Sequence, residues 1–432
     1  LQILSTSNET STGAELVQNG NFSEVGSDLV TNGDFSAAGV NLVSNPNFTD
    51  TGIELIVDGG FPNGSTAWNQ TSGGTIVDNE MQIDCGGTTD AYTYQSKATA
   101  YTSGKSYKLT VKIVSNTTGT DLVLFAGGFS PNTANISIGT TPDTYTIYFV
   151  ADYTSGSGKL IVLRALSSTG IVVIDDVSVK ELGADWTSMD GNLDTYDENG
   201  VTITSITGSG SNRLYQSNVT EDEKSYKVTY TIYTTSYSAG TILKYYYGAG
   251  YVELPEQGAG THTFYYTREG TNDNWYFTLS SSATGSTTDY VTISSISVQE
   301  LGEGWSVSAV GGISFNAGGL SLDSSEIDTS GGGTVYSACS HTTTIFEIGK
   351  SYKLVIADLD ITIGSIELKW GRDHASTPPR PILTSADNGT FTEYFTAVTE
   401  SDSFTINSAT STVATLRSIT VQELDPNGYW TV

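Results

Sequence analysis

The chain is poor in most of the residues that carry chemistry. Two cysteines and three histidines occur in 432 residues, and Lys and Arg together number 18 against 47 Asp and Glu. A net charge of −29 without a basic patch excludes a nucleic-acid partner, which would need a cationic stripe to meet the phosphates. Cys85 and Cys339 stand at non-equivalent places, so two buried thiols are expected rather than a disulfide. No run approaches the ~18 apolar residues of a membrane-spanning helix, and membrane insertion is not expected. No stretch carries an apolar period of 3.6 residues either, which removes helices from the expected architecture. His262, His341 and His374 lie outside any GxSxG, HExxH or Walker-like context. Carboxylates are numerous enough to supply a glycosidase pair, but small repeated modules offer no deep cleft for one, and the chain is not expected to be an enzyme.

What is abundant is Gly, Ser, Thr and Tyr, and it is arranged in repeats. Ser106-Tyr107-Lys108, Ser225-Tyr226-Lys227 and Ser351-Tyr352-Lys353 are followed about 75 residues later by IDDVSVKEL, ISSISVQEL and LRSITVQEL, ending at Leu182, Leu301 and Leu424. Trp68, Trp186 and Trp305 stand near the start of each unit and read as packing residues. Three copies of a module of about 120 residues account for most of the chain, each long enough to close its own core. Ahead of them runs a shorter period. ELVQNGNFSEVGS, DLVTNGDFSAAGV, NLVSNPNFTDTGI and ELIVDGGFPNGST place Leu16, Leu29, Leu42 and Leu55, and Phe22, Phe35, Phe48 and Phe61, 13 residues apart. One such unit offers Leu, Val and Phe for burial, about 4–6 kcal/mol, less than the cost of ordering its backbone. The strip is therefore expected to be ordered only against another chain or a stacked copy, or else to be duplicates of the module's opening strand left as a tether.

Within a module the Ser-Tyr-Lys strand alternates. Tyr107, Leu109, Val111 and Ile113 fall on one face, Lys108, Thr110 and Lys112 on the other; Tyr226, Val228, Tyr230 and Ile232 repeat this in the second copy. Further strands read at Asp121–Ala126, Thr144–Ala151, Lys159–Leu166 and Ile171–Val179, and about eight short strands without helices argue for a two-sheet sandwich. The Leu-Val-x-Asn-Gly-x-Phe phrase, purest at Asp28–Phe35, the following Trp, the x-Tyr-x-Leu-x-Val strand and the closing Ile-Asp-Asp-Val-Ser-Val together resemble jelly-roll carbohydrate-binding modules of families four and nine. The tandem layout, with VKELG or VQELG running into the next Trp, also resembles virion fibre and appendage proteins of aquatic bacteriophages.

That resemblance implies a structural calcium between opening loop and closing strand. Asp58, Asp175 and Asp176 match its positions in module one, where oxygen ligands suit a hard cation. Pro62 departs from the acidic residue the family prefers, and Ser294-Ser295 and Arg417-Ser418 replace the aspartates in the other copies, so calcium is expected in module one alone. Alignment of the copies also matches TYTIYF, THTFYY and TFTEYF. Phe149, Tyr266 and Phe395 share the apolar face; Tyr148, Tyr265 and Tyr394 lie opposite, where a tyrosine serves as a sugar-stacking platform, a cross-strand partner or a subunit contact. Phe125, Tyr246 and Lys369 are read as second candidates on that same face. Trp370, Arg372 and His374 open a loop that runs through Pro378-Pro379-Arg380-Pro381, where Trp370 either binds a glycan or caps the core.

The expected architecture is all-β: residues 1–53 form an anchoring or oligomerising strip, 54–182, 183–301 and 302–424 three antiparallel β-sandwich jelly rolls, and 425–432 a tail. The expected role is a non-catalytic extracellular or virion-surface protein, a phage fibre or appendage that binds host-surface glycans. Its expected partners are copies of itself or other virion or surface proteins, held through residues 15–53. A purely structural filament or capsid decoration, and the accessory region of a secreted polysaccharide-degrading enzyme, are the competing readings. The chain opens on Leu1 rather than Met, so a leader or upstream segment is expected either to have been removed or to lie outside this sequence, and the closing DPNGYWTV imitates the start of another module.

Overall fold

The computed structural model describes residues 25–36, 38–49, 51–87, 91–97, 102, 104–127, 136–151, 159–189, 194–205, 211–270, 274–280, 288–307, 312–324, 337–341, 346–370, 381–397, 404–408 and 411–424. In chain order, the eight main strands of module one are Glu80–Asp84, Ala91–Lys97, Ser106–Asn116, Leu122–Gly127, Ile136–Gly139, Asp143–Val150, Lys159–Ala165 and Ile171–Leu182. A front sheet sets the sixth, third, eighth and first side by side and adds Gly74–Val77; a back sheet sets the fifth, fourth, seventh and second and adds Asn69–Ser72. Almost every step along the chain crosses from one sheet to the other, which is jelly-roll winding.

Module two repeats the order with Gly200–Thr204, Ser211–Gln216, Ser225–Ser236, Ile242–Tyr246, Tyr251–Glu253, Gly260–Thr267, Trp275–Ser280 and Tyr290–Leu301. Module three does so with Gly319–Asp323, Ser337–His341, Ser351–Ile363, Ile366–Trp370, Ile382–Leu383, Gly389–Thr396, Phe404–Ser408 and an eighth strand split at Arg417 into Val413–Leu416 and Ser418–Leu424. Each module closes its own apolar core. Ser385–Asp387 is a single 3-10 turn, and no described helix is long and apolar enough to cross a membrane. Both cysteines are buried and free.

The period-2 alternation has its expected cause. Tyr107, Leu109, Val111 and Ile113 are buried between the sheets, whereas Lys108, Thr110 and Lys112 are half-buried on the outer side. The repeated phrases recur together because they are neighbours: Tyr107 pairs with Glu181, Tyr226 with Glu300 and Tyr352 with Glu423 across the third and eighth strands. Each tyrosine hydroxyl accepts the amide N–H five residues upstream, from Thr102, Glu221 and Glu347, at 2.7–2.8 Å. The preceding lysines, Lys105, Lys224 and Lys350, meet Glu181, Glu300 and Glu423 of the closing phrase at 3.5, 2.6 and 2.5 Å.

The described 13-residue repeats do not form a separate strip, which corrects the boundary drawn at residue 53. The units around Asp28, Asn41 and Glu54 are each the opening strand of one module, taken in reverse order, and the unit at Glu15–Phe22 lies outside the described residues. Val25–Asp28 pairs with Ser418–Leu424 of module three, Ala38–Asn41 with Tyr290–Leu301 of module two, and Thr51–Glu54 with Ile171–Leu182 of module one. The docking is the same three times. Side-chain oxygens of Asp28, Asn41 and Glu54 accept the amides of Val421, Val298 and Val179 at 2.9 Å. The carbonyls of Asn32, Asn45 and Asp58 accept the indole N–H of Trp305, Trp186 and Trp68 at 3.0–3.2 Å. Phe35, Phe48 and Phe61 pack on those indoles with centroids 5.0, 5.1 and 4.9 Å apart. A unit too small to pay its own ordering entropy is thus stabilised by a core whose remaining residues lie far along the chain.

The joints between modules repeat as well. Ser106 Oγ of module one accepts the amide of Tyr196 in module two at 2.9 Å, and Ser225 Oγ of module two accepts that of Phe315 in module three at 3.0 Å. Both aromatics close the approach to the glycine after the closing leucine: a Cβ added to Gly183 would lie 2.5 Å from the Tyr196 ring, and one on Gly302 2.4 Å from Phe315.

Candidate functional site

The outer face of the back sheet in module two carries a row of four tyrosines from four adjacent strands. Register sets Tyr215 opposite Tyr276, Tyr245 opposite Phe277 and therefore Tyr246 beside Tyr276, and Tyr246 opposite Tyr251. The alternation that turns them to the outer face buries Leu214, Trp275, Phe277 and Tyr245 beneath. Tyr215 stacks on Tyr276 at 5.1 Å, Tyr246 meets Tyr276 edge-on at 5.2 Å, and Tyr251 lies 5.1 Å from Tyr246. Tyr276 is 7% exposed and Tyr251 41%, so the row rises from the sheet centre to its open edge. Arg213, Thr278, Lys244 and Glu253 form the next row by the same register. Donors surround the rings: Arg213 Nη1 reaches the Tyr251 hydroxyl at 3.3 Å, Asn274 Nδ2 donates to the Tyr276 hydroxyl at 2.9 Å, and the Arg268 guanidinium lies 5.6 Å from the Tyr246 centroid. Aromatic faces bordered by fixed polar groups suit a ligand with both C–H faces and hydroxyls.

The same place in module one holds Tyr92 and Tyr94, 6.1 Å apart, with Arg164 and Val162 on the neighbouring strand. In module three it holds Ser340, Thr405 and Lys369, with Ser340 and Thr405 hydroxyls bonded at 2.9 Å and Lys369 on Glu367 at 3.1 Å. The aromatic platform is thus richest in module two.

Phe125, Tyr246 and Lys369 lie on the back sheet, whereas Tyr148, Tyr265 and Tyr394 lie on the front sheet. The expectation that they share a face is corrected. Parity along one strand cannot say which sheet a neighbouring phrase joins. Of Phe125 only the backbone is described; of Trp370 the described part is its backbone pairing with Phe404, and Arg372 and His374 lie outside the described residues.

Tyr148 and Tyr265 are not open platforms. Tyr148 packs against the core of module two and Tyr265 against that of module three, each across a joint, while Tyr394 is 61% exposed. A groove of about 820 Å³ at the first joint is lined by Thr146, Tyr148, Val150, Tyr196, Asp197 and Glu198 among others. Burial raises the Tyr148 phenol above its ordinary range, and Glu198 and Asp197 add to the rise.

The three aspartates assigned to calcium by resemblance have protein partners. Asp58 accepts the Ser65 hydroxyl at 2.7 Å, and Lys112 Nζ lies 3.4 Å from Asp175 and 3.8 Å from Asp176. Among the described residues no group of three or more His, Cys, Asp or Glu is gathered so as to hold a metal ion. The Asp-Asp pair also marks a register shift between Asp175 and Ser178, with Asp176 at φ 50°, a left-handed conformation that Asp tolerates better than most residues.

Tyr215, Tyr276 and Tyr251 escape a sequence reading because Trp275-Tyr276-Phe277 is apolar at every position, hiding the alternation. The tyrosine on the less apolar parity of the NRLYQ strand was the available signal.

No family model and no curated protein matches the chain. Among solved structures it is similar to the tandem CBM22-1–CBM22-2 domain of Paenibacillus barcinonensis Xyn10C, at 9% identity over 61% of this chain and 99% of that one, with a TM-score of 0.23. It is also similar to a fucolectin from striped bass (Morone saxatilis) serum, at 10% identity over 50% and 83%, TM-score 0.18. A third similarity is to a triple jelly-roll protein of an archaeal virus turret, at 12% identity over 83% and 89%, TM-score 0.17.

Proposed function

We propose that the chain is a non-catalytic glycan-binding protein of an extracellular or virion surface, and that the tyrosine row of module two is its binding platform. The observation that supports this reading is the alignment of Tyr215, Tyr276, Tyr246 and Tyr251 on one outer face, beside Arg213, Lys244, Arg268 and Asn274. That face is used neither by the opening strand nor by the joint Ser225–Phe315, both of which belong to the front sheet. Each stacked sugar contributes about 1 kcal/mol through its aromatic, so one module binds weakly and several copies on an assembly gain by avidity. A fibre or appendage role would supply that multivalency. Binding of a glycan array by the intact chain should fall several-fold in Tyr246→Ala and further in Tyr246→Ala/Tyr251→Ala, with thermal unfolding unchanged. A double variant that binds like the parent would sink the proposal. The structural reading, a spacer whose modules contact one another, is favoured by Tyr148 and Tyr265 at the joints; it would stand if the parent binds no glycan.

A further inference from the structure

Three modules use three opening units, yet the sequence holds four. Glu15-Leu16-Val17-Gln18-Asn19-Gly20-Asn21-Phe22 carries every feature that seats the others. Glu15 stands where Asp28, Asn41 and Glu54 accept an amide, Asn19 where Asn32, Asn45 and Asp58 cap an indole, and Phe22 where Phe35, Phe48 and Phe61 pack on it. Residues 15–22 lie outside the described part of the chain.

The far end of module three is correspondingly open. Ser106 and Ser225 each hold the amide of a following module and are 1% and 3% exposed. Ser351, their counterpart, is half-buried; its hydroxyl bonds Thr396 at 2.8 Å, as that of Ser225 bonds Thr267 at 3.0 Å, but among the described residues it holds no amide of a following module. Tyr148 and Tyr265 pack on the next module's core, while Tyr394 stands 61% exposed. Direction agrees with this. Thr51 pairs with Leu182, Ala38 with Leu301 and Val25 with Leu424, so the opening segment crosses each joint at the closing leucine. At the third crossing Val25, paired with Leu424, lies at the Ser351–Tyr394 end of module three.

We propose that the Ser351–Tyr394 end of module three docks a fourth jelly-roll module of this same repeat, one that lacks an opening strand and takes Glu15–Phe22 as its own. A second copy of the chain is a poorer occupant. Its module one already seats Leu55 and Phe61, and it would present Ile76 where the two formed joints present Tyr196 and Phe315.

The test extends the chain after Leu424 with a second copy of residues 302–424, a module supplied without an opening unit. Limited proteolysis read by intact mass should protect the four-module product, and Leu16→Ala/Phe22→Ala should trim it back to three modules. Protection in both, or in neither, overturns the proposal. Sedimentation of the unextended chain supplies the second arm: a monomer is expected at all concentrations. Head-to-tail oligomers that Tyr394→Asp disperses would make a second copy the occupant, and the fourth module would fall.

Discussion

Phe35, Phe48 and Phe61 sit at φ 56°, 58° and 48°, where a bulky side chain is rarely found. The strain persists in every copy because the ring is buried on a tryptophan whose indole is itself bonded to the same turn. Asp194 stores a second cost. It lies beside the first joint, buried, with Asn212 Nδ2 donating to it at 2.7 Å, and burial pushes its carboxyl up to about 6 against the pull of Ser188 and Asn212. The folded chain therefore holds this proton more tightly than the unfolded one. Stability is greatest below the ordinary carboxylate range and declines as pH rises through about 6, by roughly 3 kcal/mol in total. Asp194→Asn should gain on the parent steadily between pH 4 and 6 in denaturant titrations. A parallel pH dependence of parent and variant would show that the buried carboxyl does not act this way.

At the scale of the element, the Ser-Tyr-Lys strand does three tasks with three adjacent residues. The tyrosine fills the core and fixes the turn before it, the lysine side of the strand faces solvent, and the serine reaches the next module. Removing the hydroxyl at a formed joint leaves a buried amide without its acceptor, at a cost of about 1–3 kcal/mol. Ser106→Ala and Ser225→Ala should each lower stability by about that amount in chemical denaturation, and Ser351→Ala, which holds no inter-module amide among the described residues, should be near neutral. Equal effects at all three serines would assign them to their own modules instead. The opening units behave likewise as detachable parts. Phe48→Ala should cost module two about 3–5 kcal/mol and leave modules one and three protected in hydrogen exchange.

Across the whole molecule, the opening segment runs antiparallel to the order of the modules and ties them together. Asp28 bonds Val421, and Asn41 bonds Val298, so the strand needed by the last module is the first of the three in the chain. Contacts of such sequence separation slow folding, because loop closure must precede any gain from pairing. Truncation from the N-terminus through Ala37 should therefore unfold module three, at the opposite end of the sequence, and leave modules one and two intact by proteolysis. Loss of module one would refute the crossed pairing.

The repeat count, the all-β class and the inward tyrosines were legible in the sequence because period-2 alternation and recurring phrases are local, and local patterns survive without coordinates. The tryptophans read as packing residues for the same reason and are buried at 3%, 4% and 6%. What tertiary structure alone decided was which distant segments meet. Nothing near Leu42 announces that it will bond Val298, and Leu29 carries no mark of Val421. The 13-residue units looked like a strip apart because their partners lie more than a hundred residues away. Tyr148 and Tyr246 likewise appeared to share a face, since alternation along a strand fixes in from out but not which sheet, or which module, lies on the outer side. A hydrogen-bonded ladder forms between strands brought together in space, and only the closed fold says which those are.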